Sequence, residues 1–583
     1  MTPLSIEIDC LPPLGVVPVF VNTGAALLPA ILAGVASVLG LLLKPRELFG
    51  LCVRKPWVPV LVIGLGVGGY YGISWLMSQA TASAEQTAAG AAPPRRTDDA
   101  GDDWAAVAME LIRQEERDWR KAWLEERDRR KELERRVAQL EQQIEAPAAS
   151  NDSADPAPGD STAQDDGPAA AAIYRGNAAR CGYGGGGSPL KLKPFWEFND
   201  AFTMYLSSPL VVGDAVYGAS CTLDPPSNYG AVFCLDAATG EERWYTDVFD
   251  DPQTGAEREM KAFFSSPAVT ADGNHLVIGK GLHLDDDCEL VCIDAKSGKV
   301  RWVVPTPLHI EGSPAIEGDL VVAGAGAVEG EDLKPKGDPG YVFAVRISDG
   351  KQLWKYPVND PESSPVVRGG IAYIGSGLNG SAVVALRTES DEELKAKGLD
   401  RLLWKTDTPY PAVGAITLVD DLLLIGCGNA NYVFMSPDPK GVVLALDRAT
   451  GEVRWQTDVS NSVLGAIAAR DGRAVCAVLG GELVALDLKS EGKVLWETQI
   501  RERSLLKAGP ALTESHAYVL THDGYLCVVD AANGEVVEEH YVNAPDKPGE
   551  MGLSTSSPFV AGGKVYVGSE TGGLRCFVGE DVR

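Results

Sequence analysis

The chain has 583 residues and a formal net charge of −29, from 81 Asp and Glu against 52 Lys and Arg. Hydrophobic residues make up 45% of it, so a large packed core is expected and global disorder is excluded. A chain this acidic repels a polyanion, which argues against nucleic-acid binding as its main activity. The 11 Cys and 6 His include no Cys-x-x-Cys pair and no paired-His motif, so we expect neither a disulfide-built scaffold nor a Cys/His zinc site.

Two uncharged apolar stretches, residues 24–43 and 57–77, open the chain, and each is long enough to cross a bilayer. Four basic residues and one acidic residue lie between them, so the positive-inside rule places that segment in the cytoplasm. These features predict a two-helix transmembrane hairpin over residues 1–80. The protein is then expected in the inner membrane, multi-pass, with the rest of the chain in the periplasm. A cleaved signal peptide needs a basic start, and this start is acidic.

A charged stalk is predicted between this hairpin and the rest of the chain. Residues 81–101 are rich in Ala and predict a linker. Residues 102–146 are dense in Glu and Arg without Gly or Pro, which is typical of a long helix, and an apolar stripe suits a coiled coil through which copies of the chain associate. A solitary helix stabilised by ion pairs is the alternative. Residues 147–172 are too polar to fold alone and predict a disordered linker.

A repeated motif fills residues 173–583. In its clearest copies an Asp is followed by a Gly and then by a Trp at constant spacing, as in Asp236, Gly240 and Trp244, in Asp294, Gly298 and Trp302, and in Asp447, Gly451 and Trp455. Looser copies end at Trp354, Trp404 and Trp496, and one ends at His540 with the Trp lost. A period of roughly 40–60 residues, with several short strands in each repeat, predicts a β-propeller with four-stranded blades. Eight first strands, most of them starting with Ser-Ser-Pro or a Gly-containing equivalent, predict eight blades.

The eighth repeat stops after its third strand, near residues 573–578. Residues 195–198 alternate in character and carry Trp196 where a repeat Trp would stand, so we expect this segment to supply the missing fourth strand and close the ring. The predicted fold is therefore all-β: an eight-bladed β-propeller with four-stranded blades, preceded by two transmembrane helices and a helical stalk.

The repeat residues are expected to be structural. Each repeat Gly suits a left-handed turn, and each repeat Asp can accept backbone hydrogen bonds in that turn. Cys234 and Cys292 occupy a slot that holds Ala in other repeats, so we expect small core residues there and not redox centres.

These motifs resemble the pyrroloquinoline-quinone-type, or Trp-docking, β-propeller repeat family, whose members include quinoprotein dehydrogenases and the outer-membrane assembly factor BamB. Residues 174–180 also resemble the R-G-[DN]-x-x-R segment that often precedes such domains. The resemblance implies that each Trp is a flat wedge between adjacent blades. The dehydrogenases typically carry adjacent cysteines over the quinone, and Glu, Asn and Asp ligands for calcium. This sequence has no adjacent cysteines, and we cannot assign the calcium ligands to matching positions in it.

The resemblance is thus to the non-catalytic, BamB-like branch, and implies a binding or assembly scaffold without catalytic residues, cofactor or metal. A quinoprotein dehydrogenase that binds pyrroloquinoline quinone and Ca²⁺ is the alternative. Long loops after the second strands, and the link between the first two repeats, predict that one face of the propeller is acidic and binds a protein partner. The candidate residues of this binding face are Tyr229, Asp285, Asp286, Asp287, Tyr432 and Phe434. A solvated acidic loop is favoured over a Ca²⁺ site for the Asp run, which lacks a ligand-alternating loop.

Overall fold

The structure of the protein is a computed structural model that describes residues 171–199, 203–222, 229–281, 288–326, 339–377, 380–430, 432, 435–545, 549 and 552–580. The predicted membrane hairpin, the stalk and nearly all of both linkers lie outside these ranges. Within them, we find no helix with the length and apolar character needed to cross a membrane.

Eight antiparallel sheets of four strands, the blades, confirm the predicted propeller. The chain enters through β1 (Lys193–Phe198) and then builds blade 1 from β2 (Leu210–Val212), β3 (Ala215–Cys221), β4 (Gly230–Asp236) and β5 (Glu242–Thr246). A hairpin follows, formed by β6 (Val248–Asp250) and β7 (Glu257–Glu259). Blade 2 contains β8 (Ala268–Val269), β9 (His275–Lys280), β10 (Cys288–Asp294) and β11 (Val300–Thr306). Blade 3 contains β12 (Ala315–Glu317), β13 (Leu320–Ala325), β14 (Tyr341–Arg346) and β15 (Gln352–Pro357).

The second half of the ring has the same order. Blade 4 contains β16 (Val366–Val367), β17 (Ile371–Ser376), β18 (Ala382–Arg387), the helix α1 (Asp391–Lys397) and β19 (Leu402–Asp407). Blade 5 contains β20 (Thr417–Val419), β21 (Leu422–Gly428), β22 (Gly441–Asp447) and β23 (Val453–Val459). Blade 6 contains β24 (Ala468–Arg470), β25 (Arg473–Ala477), β26 (Glu482–Asp487), a 3₁₀ turn (Leu488–Ser490) and β27 (Lys493–Gln499). Blade 7 contains β28 (Ala511–Leu512), β29 (His516–Leu520), β30 (Tyr525–Asp530) and β31 (Val536–Tyr541), and blade 8 contains β32 (Phe559–Ala561), β33 (Lys564–Gly568) and β34 (Leu574–Val578).

Position within a blade explains the composition of each strand. The third strands, such as β22, are buried along almost their whole length because neighbouring blades cover both of their faces, and they are nearly continuous runs of apolar residues. The fourth strands alternate between exposed and covered residues, as β23 does, because they form the outer rim. First strands of neighbouring blades contact one another and therefore surround the central channel.

The turn from third to fourth strand shows why the repeat needs its Asp and Gly. Asp236 accepts hydrogen bonds from the backbone N–H groups of Ala238 (2.9 Å) and Thr239 (3.0 Å). Gly240 has φ +75°, and a Cβ added there would lie 2.6 Å from the ring of Trp196. The turn thus needs glycine for its backbone conformation and for the close approach of the neighbouring blade's Trp.

The ring closes as predicted. β1 pairs antiparallel with β34, with Trp196 opposite Cys576 and Phe198 opposite Leu574, so the first and last strands of the described propeller complete blade 8 together. In blade 7 the bulge that follows the Trp position lies beside Val528, whose partner is Glu538. Glu538, and not His540, therefore stands where the other blades have Trp.

Glu538 replaces the Trp at this junction. The third and fourth strands of blade 8, β34 and β1, are not joined by a turn against which a Trp could pack. Its carboxylate accepts hydrogen bonds from the backbone N–H groups of Lys191 and Leu192, the residues that lead into β1. This carboxylate therefore ties blade 7 to the entering chain, whose strand β1 completes blade 8 by pairing with β34.

Candidate functional site

The lead-in segment, residues 171–187, lies inside the ring of first strands. Its backbone bonds to the first strands of five blades: Ala172 with Val269, Ala178 with Leu418, Ala179 with Ala469, Cys181 with Leu512 and Gly182 with Val560. These partners belong to the inner strands near the turns that lead to the second strands. The lead-in segment therefore occupies the end of the central channel on that side.

Two arginines of the predicted R-G-[DN]-x-x-R motif anchor this segment. Arg175 and Arg180 are almost fully buried, with 2% and 0% of their surface exposed, and burial lowers the pKa of Arg180 to about 10. Their guanidinium groups donate only to carbonyl oxygens, those of Ile416, Tyr174 and Pro365 for Arg180 and those of Pro510 and Pro558 for Arg175. Arg180 thus joins blades 4 and 5, and Arg175 joins blades 7 and 8.

A series of serine hydroxyls lines the channel between the lead-in segment and the long-loop face. In five consecutive blades, the second residue of the Ser-Ser-Pro start, or its equivalent, donates its N–H to the hydroxyl of the equivalent Ser in the following blade. The bonds run from Gly509 to Ser557 (2.9 Å), Ser557 to Ser208 (2.8 Å), Ser208 to Ser266 (3.0 Å), Ser266 to Ser313 (2.9 Å) and Ser313 to Ser364 (2.9 Å). Ala415 and Ala466 take this position in blades 5 and 6, so the hydroxyl series covers blades 8 to 4. These hydrogen bonds fix the register between the neighbouring blades that they join.

The opposite end of the channel lies at the long-loop face, which is formed by the loops after the second strands and the links between blades. The residue two positions before the second Ser, or its equivalent, lies on the long-loop side of this series in every blade, and we call these eight residues the mouth positions. They are Leu206, Phe264, Glu311, Glu362, Val413, Leu464, Lys507 and Thr555. Carboxylates occupy two adjacent mouth positions, in blades 3 and 4.

These two carboxylates form a cluster with His309. The Nε2 atom of His309 lies 3.0 Å from Oε1 of Glu362, and the ligand atoms of His309, Glu311 and Glu362 all lie within 4.8 Å of one another. The His309 side chain is fully buried and that of Glu362 is 8% exposed. No other group of three His, Cys, Asp or Glu with this spacing occurs in the described ranges. The motifs His-x-Glu and Pro-Glu-Ser-Ser-Pro show the cluster only when the repeats are aligned on the Ser-Ser-Pro starts.

Tyr432, a predicted residue of the binding face, lies beside this cluster. Its ring makes an edge contact with Phe264 of the link before blade 2, with ring centroids 5.1 Å apart, and its hydroxyl donates to the carbonyl of Leu464 (3.4 Å). Burial raises the pKa of Tyr432, and the charges of Glu311 and Glu362 add to the effect. The loop of blade 5 therefore reaches over the channel mouth to the side of blade 2.

Of the other predicted residues of the binding face, only Tyr229 lies within the described residues. Tyr229 is half-buried at the start of blade 1's third strand, where its N–H donates to Thr222 Oγ1 (2.9 Å). Asp285, Asp286, Asp287 and Phe434 lie outside the described residues.

Asp251 lies in the link between blades 1 and 2, which the sequence assigned to the acidic face. It is buried and forms an ion pair with Arg258 of the β6–β7 hairpin (2.8 Å). Arg258 also binds Glu289 (2.5 Å), which pairs with the fully buried Lys280 (2.6 Å). This chain of charges attaches the hairpin to blade 2 and is unavailable to a partner.

The predicted repeat tryptophans stand at the junctions between blades. Six of them donate their indole N–H to a carbonyl of the following blade: Trp196 to Ala237, Trp244 to Ala295, Trp302 to Ile347, Trp354 to Thr388, Trp404 to Arg448 and Trp496 to Ala531. Trp455 packs against Gly492 of blade 6. Gly298 and Gly451 have φ +72° and +76° and lie beneath Trp244 and Trp404. Asp294 and Asp447 accept the turn N–H groups as Asp236 does. These residues build the ring and do not face the mouth.

Comparison with known proteins finds relatives of two kinds. The outer membrane protein assembly factor BamB of Burkholderia pseudomallei is 26% identical over 366 residues, which cover 55% of this chain and 83% of that protein. The dehydrogenase subunit of a quinone alcohol dehydrogenase from Gluconobacter oxydans is 26% identical over 292 residues, which cover 46% of this chain but only 33% of that protein. Among solved structures, a europium-containing methanol dehydrogenase superposes with a TM-score of 0.51 at 15% identity, over 71% of this chain and 99% of that one. At that identity the likeness establishes the fold alone.

The prediction of a multi-pass protein of the inner membrane was wrong. Several relatives carry the name outer membrane protein assembly factor, which refers to a different membrane. No helix of the described ranges could span a bilayer, and the predicted spans, residues 24–43 and 57–77, lie outside those ranges.

The family match extends over the whole propeller. A family model described as outer membrane protein assembly factor BamB matches residues 195–429 and 397–580, which together include all eight blades except the first two residues of β1. The two overlapping matches follow from the repeat, since neighbouring groups of blades satisfy the same pattern. The chain therefore belongs to the outer membrane protein assembly factor BamB family of β-propellers.

Proposed function

We propose that the protein is an assembly factor that binds a partner protein at the long-loop face of its propeller. The observation that carries this proposal is the family match over all eight blades. The asymmetry of the channel supports the choice of face. The lead-in segment occupies one end through main-chain hydrogen bonds, whereas long loops and links surround the other end.

The chemistry of the long-loop face favours a partner segment with basic and apolar residues. Glu311 and Glu362 stand at the mouth, and Asp438 is an exposed carboxylate in the loop of blade 5. Met435 in the same loop exposes 43% of its surface, and its flexible thioether suits an adaptable apolar contact. The net charge of −29 would also steer a basic surface toward the protein.

Quinone-dependent alcohol oxidation is the second candidate, because dehydrogenases are among the relatives. The residues at the channel mouth do not fit the calcium ion of such enzymes. Ca²⁺ takes oxygen ligands, and the acidic cluster of the mouth includes the imidazole of His309. The matched dehydrogenase also extends far beyond the shared region, since only 33% of it is covered. We therefore derive no quinone chemistry for this chain.

Site-specific photo-cross-linking in the native cell tests the proposal. A photoreactive amino acid is placed at Met435 on the long-loop face and, as a matched control, at Ala532, an exposed residue in a turn on the opposite face. We expect an adduct at Met435, identified by mass spectrometry as a component of outer-membrane protein assembly, and none at Ala532. Adducts at Ala532 alone would contradict the assignment of the face. Turnover of an alcohol by the purified protein with added quinone and Ca²⁺ would favour the second candidate.

A further inference from the structure

We propose that His309, Glu311 and Glu362 form a binding site for one divalent transition-metal ion, with Zn²⁺ as the representative, at the mouth of the channel. The proposal is independent of the partner protein. It assigns a role to three residues that the repeat does not need, since the other blades are built without them.

The donor set selects the class of metal. One imidazole nitrogen and two carboxylate oxygens suit Zn²⁺ and related first-row ions, whereas Ca²⁺ and Mg²⁺ prefer oxygen ligands alone. In a tetrahedral site with bonds of about 2.0–2.2 Å, the ligand atoms lie roughly 3.3–3.6 Å apart. The Nε2–Oε1 distance of 3.0 Å and the 4.8 Å limit for all three atoms bracket that spacing, so small side-chain rotations complete the geometry.

The backbone holds the three donors in place. His309 accepts a hydrogen bond at its carbonyl from the N–H of Gly326 (3.0 Å), which fixes the link between blades 2 and 3. The bond from the Ser313 N–H to the Ser364 hydroxyl (2.9 Å) fixes the next pair of first strands, directly below Glu311 and Glu362. A site on two such links is more rigid than one on a free loop.

Gly326 packs directly against two of the donors. A Cβ at Gly326 would lie 2.6 Å from Nε2 of His309 and 3.0 Å from Cγ of Glu362. Gly326 is not among the glycines with positive φ, so its backbone conformation does not require glycine. The close approach of the His309 ring and the Glu362 side chain does require it, so the backbone at Gly326 packs against two of the three donors.

The pattern of mouth positions points to the same site. Carboxylates occur at two adjacent mouth positions, and the only His in these links lies two residues before the first of them. Three protein ligands leave a further position for water or for a carboxylate of another molecule.

Calorimetric titration of the purified, chelator-treated full chain with ZnCl₂ tests the proposal. We expect one saturable ion per chain, and at least a tenfold weaker affinity for His309→Ala and for Glu362→Gln. Asp438→Asn, which removes an exposed carboxylate on the same face, is the matched control and should bind as the native chain does. Circular dichroism and the melting temperature of each variant establish that it folds.

The variant Gly326→Ala is a second test of the site, because it keeps all three donor side chains. The added methyl group should weaken Zn²⁺ binding at least tenfold, because it occupies the space beside Nε2. If His309→Ala does not fold, Glu311→Gln replaces it, since Glu311 is less buried. The proposal is overturned if the native chain shows no saturable binding, or if folded variants of the cluster bind Zn²⁺ as tightly as Asp438→Asn.

Discussion

Replacing Trp354 by Ala should destabilise the propeller more than any change at an exposed aromatic residue. Trp354 is the most buried of the repeat tryptophans, with 2% of its surface exposed. Its indole N–H donates to the carbonyl of Thr388 (2.9 Å), and the guanidinium carbon of Arg401 lies 4.3 Å from the ring centroid. In blade 4 the helix α1 replaces the usual Asp-Gly turn, so Arg401 packs where other junctions have the turn glycine.

The expected loss follows from these contacts. Truncating a buried aromatic side chain costs about 3–5 kcal/mol, which includes the cavity left behind. The carbonyl of Thr388 loses its partner, and the cation–π contact is lost as well, each worth about 1 kcal/mol and partly contained in the first figure. A loss of about 4 kcal/mol, spread over roughly 400 residues that unfold together, corresponds to a melting point lower by about 4–5 °C. Trp354→Phe keeps most of the ring and should lose about half as much.

Differential scanning calorimetry of the native chain and its variants measures this effect. Phe195→Ala is the control, because Phe195 also lies on an outer strand but is 48% exposed, and it should change the melting point by less than about 1 °C. If Trp354→Ala and Phe195→Ala melt alike, the tryptophans do not act as wedges between blades, and the reasoning from the repeat to the stability of the ring fails.

Four further outcomes are expected. Deletion of residues 1–199 should leave blade 8 without its outer strand and cause aggregation, whereas deletion of residues 1–170 should not, as sedimentation will show. Glu538→Ala should destabilise the propeller by about 1–3 kcal/mol in urea unfolding, because it leaves backbone N–H groups of the entering chain without acceptors. Cys292 should resist a thiol reagent in the native chain and react in denaturant, since burial raises its pKa to about 12. Hydrogen bonds, first from Arg243, lower the pKa of Asp236 to about 2. The contribution of Asp236 to the free energy of unfolding is therefore present above about pH 4 and is lost toward pH 2. The pH dependence of the free energy of unfolding should be smaller in Asp236→Asn.

The ring was predictable because its signals are local. Each Asp-Gly-Trp unit lies within one hairpin, so spacing alone indicates a strand, a turn and a wedge. Closure was predictable from an incomplete eighth repeat and a spare strand-like segment around Trp196. The constant spacing from the repeat Asp also places Glu538 at the Trp position, although the repeat was predicted to end at His540.

The mouth was harder to predict because its residues meet only when the ring has closed. Glu311 and Glu362 lie in different links, and no local motif connects them. Their equivalence appears when the repeats are aligned on the Ser-Ser-Pro starts. The burial of Asp251 depends on its ion pair with Arg258 of the β6–β7 hairpin, which also pairs with Glu289 of blade 2, and no local pattern in the link indicates these contacts.

Hydrogen exchange of the chain, alone and with the partner identified by cross-linking, tests the central claim most directly. Backbone amides at the surface that binds the partner should exchange more slowly in the complex. The account predicts protection in the links and loops of the long-loop face, residues 247–267, 307–314 and 429–440. Protection confined to the turns of the opposite face, residues 237–241, 296–299 and 448–452, would contradict it.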